Sequence, residues 1–269
     1  MLGARNRSFI VNVDGQDVPV NRKSTRKTRN GGLPQEQKEK FVREAAAKIE
    51  YIKKFKPTPS QEQAIDIARN NTLSWIVGVS GSGKSTCVLW DYCQEYLRDN
   101  TKKIYVIKGA TEVSMDKIGF LPNGLDEKMS AHMVANRKIL EDFLGAEKVA
   151  ADLNNRIFLL PPNYLLGQTL EGLILIEEAQ QLQPNVLKLI LERTGSKGSR
   201  VCVVGDASQL YTDAKESKLR NGLTDGLNRF FKEDMSSKYP DVGYFEFNIE
   251  DVQRSEIVKT ILRAYADYQ

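Results

Sequence analysis

The sequence has 269 residues, enough to bury a full hydrophobic core in one or two domains. Its hydrophobic share of 41% and charged share of 28% are ordinary for a globular protein, and no apolar run reaches the ~18–20 residues of a membrane helix. Residues 1–57 carry fourteen Lys and Arg against six Asp and Glu, whereas the remainder carries 25 against 29. This basic front end indicates a polyanionic partner, although solvated charge runs are also common.

The chain begins with a basic and weakly apolar stretch that lacks the apolar core of a secretory signal. Cys87, Cys93 and Cys202 are odd in number and show no CxxC spacing. We therefore expect reduced, buried thiols, no zinc site and a cytoplasmic location.

Residues 8–20 alternate apolar and polar side chains around Asp14-Gly15, which predicts a β-hairpin. The basic and small polar run 21–32 is typical of a flexible linker or arm. A helix is predicted from Pro34 to Phe55, because apolar residues recur there at helical spacing before Pro57. Together these parts form a small basic N-terminal extension.

This extension is assigned to residues 1–56, and residues 57–269 are predicted to form one three-layer α/β domain. Short apolar runs alternate there with helical stretches, which is typical of strands buried on both faces of a mostly parallel sheet. The runs are SWIVGV (74–79), KIYVIKG (103–109), RIFLL (156–160), LILIE (173–177), RVCVVGD (200–206) and GYFEFN (243–248). Ligands of such a sheet bind at the carboxyl ends of its strands.

Residues 78–85, GVSGSGKS, match the phosphate-binding pattern G-x-x-x-x-G-K-[ST] in full, with an apolar strand before them and an amphipathic helix after them. Glycines let consecutive N–H groups face one point, where the helix N-terminus adds partial positive charge. Lys84 is expected to reach the β- and γ-phosphates of ATP, and the Ser85 hydroxyl to ligate Mg²⁺. Other nucleotide contacts are expected from Gly78, Ser80, Gly81, Ser82, Gly83 and Thr86. A glycine-rich turn with an exposed lysine is the alternative.

Two adjacent acids, Glu177 and Glu178, end the run 173–177, where a parallel sheet places them beside the phosphate loop. We expect Glu177 in the magnesium shell, through a water, and Glu178 to polarise the attacking water. A solvated acidic helix start is the alternative. A third strand end leads to Gln209, whose amide is expected to bind the γ-phosphate or the water, although a capping turn would look alike.

Together these elements resemble the PhoH family of P-loop ATPases, especially its phage-like members, over about residues 57–266. The segments that carry the resemblance are PSQ (59–61), GFLPNG (119–124), GQTL (167–170), EEAQ (177–180), GDASQ (205–209) and DVQRS (251–255). The family is related to superfamily 1 helicases, so the resemblance implies a RecA-like fold. It also implies that Gln61 contacts adenine and that Arg254 stabilises charge on the transferred phosphoryl group.

Three residues depart from the family pattern. Glu177 stands where the family has Asp, and its longer arm can still hold a magnesium-bound water. Lys108 stands at the strand end where the family has Thr-Arg-Pro, which keeps a phosphate-binding charge without the bidentate fork. Gln168 replaces an arginine and removes a charge that could touch nucleic acid.

The resemblance implies Mg-dependent ATP hydrolysis coupled to single-stranded RNA or DNA, and the basic residues 22–29 agree with it. A P-loop kinase of a small molecule stays open, although no arginine cluster follows the phosphate loop. A nucleotide-switched binding protein with little turnover also stays open.

We expect a single ATPase domain here, whereas in two-domain relatives the equivalent arginine comes from the second domain and reaches across a cleft. We therefore expect Arg254 to complete a neighbouring subunit's site in a homo-oligomeric ring, a hexamer by resemblance. The alternative is a surface arginine at the start of the C-terminal helix.

Overall fold

A computed structural model describes residues 9–13, 16–20, 55–109, 125–165, 167–195, 198–207 and 221–265, with the backbone alone for 9–13, 16–20 and 125–132. Strands β1 (Phe9–Val13) and β2 (Gln16–Val20) pair antiparallel, which confirms the N-terminal hairpin. The expected linker and the helix after it lie outside the described residues, up to Phe55.

Six strands form the main sheet. They are β3 (Leu73–Gly78), β4 (Ile104–Lys108), β5 (Ile157–Leu160), β6 (Leu173–Glu177), β7 (Arg200–Gly205) and β8 (Val242–Phe247). Their order across the sheet is β5-β4-β6-β7-β3-β8, and every neighbouring pair is parallel. Each apolar run of the sequence is one of these strands, so the parallel α/β sheet is confirmed.

Helices connect the strands across both faces of the sheet. They are α1 (Pro59–Asn70), α2 (Lys84–Arg98), α3 (Leu125–Leu144), α4 (Ala146–Asp152), α5 (Pro184–Leu191), α6 (Gly222–Phe230) and α7 (Glu256–Tyr265). In the part of the chain that the structure describes, no helix has the length and apolar composition needed to cross a membrane.

Alternating side chains of each strand divide the core into two halves, because successive residues of a strand point to opposite faces. In β6, Leu173 and Leu175 join the half that holds α1, α2 and α3. Ile174 and Ile176 join the half under α5 and α6. The residues of β6 are buried along its whole length. This arrangement confirms the three-layer architecture.

The strand order brings three loops together at the carboxyl edge of the sheet. Strand β7 lies between β3 and β6, with Val77 opposite Gly205 and Ile176 opposite Val203. The segments that follow Gly78, Glu177 and Gly205 therefore leave adjacent strands at the same edge. This is where the sequence predicts the nucleotide site.

One glycine of α6 is required by the core. A Cβ atom at Gly226 would lie 2.0 Å from Cη2 of the fully buried Trp75. We expect Gly226→Ala to lower the free energy of unfolding by about 1–3 kcal/mol through overpacking, measured by denaturant unfolding. Asn228→Ala, at an exposed position of the same helix, is the matched control. Helix propensity alone would make Gly226→Ala more stable than the unchanged protein. A higher free energy of unfolding for this variant would therefore contradict the packing described here.

Candidate nucleotide-binding site

The loop between β3 and α2 has the backbone of a phosphate-binding loop. Gly78 and Gly83 have φ angles of 120° and 85°, which residues with a side chain rarely adopt. A Cβ at Gly78 would also lie 2.1 Å from the carbonyl oxygen of Phe247 on β8. The N-cap residue of α2 is Gly83, which has no side chain that could bond to the N–H groups of the first turn. Such a helix start favours a bound anion.

Lys84, the first residue of α2, folds back over this loop. Its ammonium group donates to the carbonyl oxygens of Gly78, at 2.7 Å, and Val79, at 2.9 Å. Ser82, which is fully buried, also donates to the Val79 carbonyl, at 2.9 Å. Burial lowers the pKa of Lys84, and the nearby carboxylates of Asp206, Glu178 and Glu177 act against that shift. The ammonium group is therefore held at the loop beside acids that come from two other strands.

A small cleft joins the phosphate loop to those acids. It is lined by Ser80, Lys84, Glu177, Glu178, Val204, Gly205 and Asp206. The structure thus brings the expected lysine and both expected acids together at the ends of β3, β6 and β7. Gln209 lies outside the described residues.

Glu177 is the deeper of the two acids, with 5% of its surface exposed. Burial raises the pKa of its carboxyl group, whereas a hydrogen bond from Ser85, the charge of Lys108 and a hydrogen bond from Asn136 oppose the shift. The Asn136 amide donates to Oε1 of Glu177 at 2.9 Å. A hydroxyl and a carboxylate in direct contact are oxygen ligands of the kind that Mg²⁺ prefers, so Ser85 and Glu177 fit the expected metal.

Lys108 ends strand β4, next to the end of β6. It pairs in register with Glu177 on the adjacent strand, and its charge acts on that carboxylate. Its place is therefore beside the deeper acid of the site.

Glu178 begins the turn after β6 with a φ angle of 52°, uncommon for a residue with a side chain. Its carboxylate accepts a hydrogen bond of 2.6 Å from Nε2 of Gln180. Oε1 of the same amide accepts from the backbone N–H of Asp206 at 3.0 Å. Gln180, 3% exposed, thus links the turns after β6 and β7.

Sequence reasoning assigned no role to Gln180 or Asn136. Gln180 stands in the EEAQ segment, three residues after a buried strand, and that position was the available signal. Asn136 is the polar member of an apolar helical stripe that contains Met133 and Leu140, which is a weaker signal.

A larger pocket of about 410 Å³ lies on the other side of the phosphate loop. Its lining consists of Phe55, Lys56, Thr58, Gln61, Gly81, Gly83, Thr86, Gln253 and Arg254. Gln61, expected to contact adenine, donates through Nε2 to the Ser82 carbonyl at 3.0 Å and accepts through Oε1 from the N–H of Thr58 at 3.1 Å. Its amide therefore ties the capping box of α1 to the phosphate loop.

Arg254 lies against the phosphate loop of its own chain. The N–H of Gln253 donates to the Gly81 carbonyl at 2.9 Å, and a Cβ at Gly81 would lie 3.0 Å from Cδ and Nε of Arg254. Ser60 fixes the same turn through a 2.5 Å hydrogen bond to Asp251. These bonds fold the turn over the loop of the same chain, and the reach of Arg254 into a neighbouring subunit stays a prediction. The ring itself stays a prediction.

A comparison with protein-family models finds one described as PhoH-like protein, which matches residues 54–266. The match begins just before Phe55 and spans all the segments of the site.

Curated relatives carry similar descriptions. The PhoH-like protein of Bacillus subtilis is 28% identical over 210 residues, which cover 77% of this chain and 62% of that protein. The PhoH-like protein of Synechocystis sp. is 29% identical over 208 residues, 76% of this chain and 60% of that protein. Protein PhoH2 of Mycolicibacterium smegmatis is 30% identical over 173 residues, 62% and 38% respectively. The chain thus spans about three fifths of the length of the first two relatives.

The structural role of Gln61 can be tested by measuring stability alone. Gln61→Leu removes its bonds to Thr58 and Ser82, and we expect the free energy of unfolding to fall by about 1–2 kcal/mol in denaturant unfolding without nucleotide. Gln63→Leu, at an exposed position of the same helix, is the matched control. Equal stability of the two variants would show that the Gln61 amide does not support the loop.

Proposed function

This chain belongs to the PhoH-like protein family, and from that membership and the geometry of its phosphate loop we propose that it hydrolyses ATP with the help of magnesium. One observation carries the proposal: Lys84 of the loop and the acids Glu177 and Glu178 line a single cleft. A loop that only binds a phosphate group has no need of carboxylates there, because they repel the anion. A metal ion or a water to be activated gives them a use.

The two acids have different surroundings, which supports different roles. Glu177 is buried and bonded to Ser85 and Asn136, which suits a residue that holds a metal-bound water. Glu178 lies in the cleft and is held from one side by Gln180, which suits a base that orients the attacking water. Magnesium, when bound, supplies positive charge that offsets the charge developing on the phosphate oxygens.

Lys84 and Arg254 are positive side chains that lie beside the phosphate loop. Nζ of Lys84 bonds to the Gly78 and Val79 carbonyls at the bend of the loop. A γ-phosphate bound in this loop would offer Nζ acceptor oxygens in place of those two carbonyls. Arg254 lies over Gly81 and supports the same nucleotide in cis. A charge in this position stabilises the transition state of phosphoryl transfer.

The acid assignment has a direct kinetic test. Lys84→Ala should abolish ATP hydrolysis. Glu178→Gln should keep ATP affinity within about threefold and lower turnover by about 10²-fold, because the amide keeps the shape but loses the basic oxygen. Release of inorganic phosphate without an added acceptor and nucleotide binding are measured in parallel. Such release also separates hydrolysis from a kinase reaction.

Matched controls are Lys188→Ala and Glu192→Gln, which change an exposed ion pair far along the chain from the loop. Hydrolysis by Glu178→Gln at the rate of the unchanged protein would remove Glu178 as the base. Formation of ADP that requires a small-molecule acceptor and releases no inorganic phosphate would favour the kinase.

We further propose that ATP turnover is coupled to single-stranded nucleic acid. The support is the excess of basic residues in the first 57 positions, fourteen against six acids, with five of them between residues 22 and 29. Lysines and arginines that neutralise phosphates release condensed counterions, so such an arm gives binding that weakens steeply with salt.

The basic arm can be tested by removing its charge without shortening the chain. We expect the five changes Arg22→Gln, Lys23→Gln, Arg26→Gln, Lys27→Gln and Arg29→Gln to weaken binding of single-stranded RNA or DNA. The slope of log K against log salt should become shallower by about 0.7 for each phosphate that the arm no longer neutralises. Deletion of residues 1–32 should act in the same way, while ATP turnover without nucleic acid stays within about twofold. Equal salt slopes for all three proteins would remove the arm from nucleic-acid binding.

A further inference from the structure

A polar residue, Asn136, lies on the core face of helix α3 in the part of that helix whose side chains the structure describes. Met133, Leu140, Phe143 and Leu144 are buried there, and Asn136 occupies a position of the same stripe with 3% of its surface exposed. Spacings of three and four residues put all of them on the side that packs against the sheet. An apolar residue would be ordinary at this position, so the amide calls for a specific reason.

The amide uses only part of its hydrogen-bonding capacity. Nδ2 of Asn136 donates to Oε1 of Glu177 at 2.9 Å. Oδ1 is buried and has no hydrogen-bond partner among the described residues. A buried acceptor without a partner destabilises the folded chain, and a leucine of similar size would avoid that cost. Packing alone therefore does not explain an asparagine at this position. The hydrogen bond that it donates to Glu177 is something that an apolar residue could not supply.

Glu177 is a residue for which such a donor matters. Its side chain has one rotatable bond more than an aspartate, so its carboxylate is harder to hold in one place. Ser85 bonds to the same carboxylate, and a second donor on α3 restrains it from another direction. The amide is neutral, so it orients the carboxylate without cancelling the negative charge that a cation would use.

We propose that Asn136 is a positioning residue of the magnesium site, which holds the Glu177 carboxylate against the Ser85 hydroxyl. The inference rests on the proposed function of this site. Hydrogen-bond partners behind metal ligands typically contribute 10–100-fold to metal affinity. Asn136 is expected to act within that range, and its effect should be larger on a glutamate than on the shorter aspartate.

The test measures metal-dependent binding and does not use turnover. A fluorescent ADP analogue is titrated with EDTA present and across a range of Mg²⁺ concentrations. For Asn136→Leu we expect affinity in EDTA within about twofold of the unchanged protein and a midpoint for Mg²⁺ that rises about 10–100-fold. Asn136→Ala, which is smaller and fits without strain, should shift the midpoint in the same direction.

Leu140→Ala is the matched control, because it truncates a buried residue one turn along the same face. It should lower thermal stability and leave the Mg²⁺ midpoint unchanged. In a Glu177→Asp background, Asn136→Leu should shift the midpoint less than it does with glutamate, since the shorter side chain needs less restraint.

An unchanged Mg²⁺ midpoint for both Asn136 variants, with only the stability loss seen for Leu140→Ala, would overturn the inference and make Asn136 a packing residue. The underlying proposal fails on a different outcome: hydrolysis of ATP by the unchanged protein at the same rate with Mg²⁺ and in EDTA would remove the proposed magnesium-dependent function itself.

Discussion

Parallel pairing of the strands is the constraint on which the rest of the structure depends. Because all six strands run the same way, every carboxyl end lies at one edge, and residues far apart in sequence meet there. The helices cover both faces, so the central strands are buried, and the ends of β3, β6 and β7 lead into the cleft. The position of β7 between β3 and β6 sets the spacing between the phosphate loop and the acids. The strand order thus determines which loops meet at the site, and the side chains on those loops determine its chemistry.

The charges at this edge are held by neutral groups. Lys84 is bonded to backbone carbonyls, while Glu177 and Glu178 are each held by an amide side chain, Asn136 and Gln180. Burial disfavours the charged forms of both Lys84 and Glu177. The carboxylates of Asp206, Glu178 and Glu177 oppose that effect on Lys84, whereas Ser85, Lys108 and Asn136 oppose it on Glu177. Neutral donors and acceptors fix the geometry and leave the charges available.

Much of this arrangement could be predicted from the sequence. Almost continuous apolar runs identify the buried strands, and the full phosphate-loop pattern identifies which strand end binds phosphate. The contacts of Gln61 and Arg254 could not be predicted, because they depend on how α1 and the turn after β8 fold over the loop. The pattern of residues within one segment does not show which distant segment will contact it. Asn136 shows the same limit, since a polar residue on a helix stripe does not reveal which strand end it faces.

A crystal structure with Mg²⁺ and a non-hydrolysable ATP analogue tests the central claim most directly. The account predicts that the phosphates lie in the loop after β3 and that Nζ of Lys84 leaves the Gly78 and Val79 carbonyls for the γ-phosphate. The cation should lie between the Ser85 hydroxyl and the Glu177 carboxylate, directly or through one water. A nucleotide bound away from this loop, or phosphates in the loop with Lys84 still on the two carbonyls, would contradict the account.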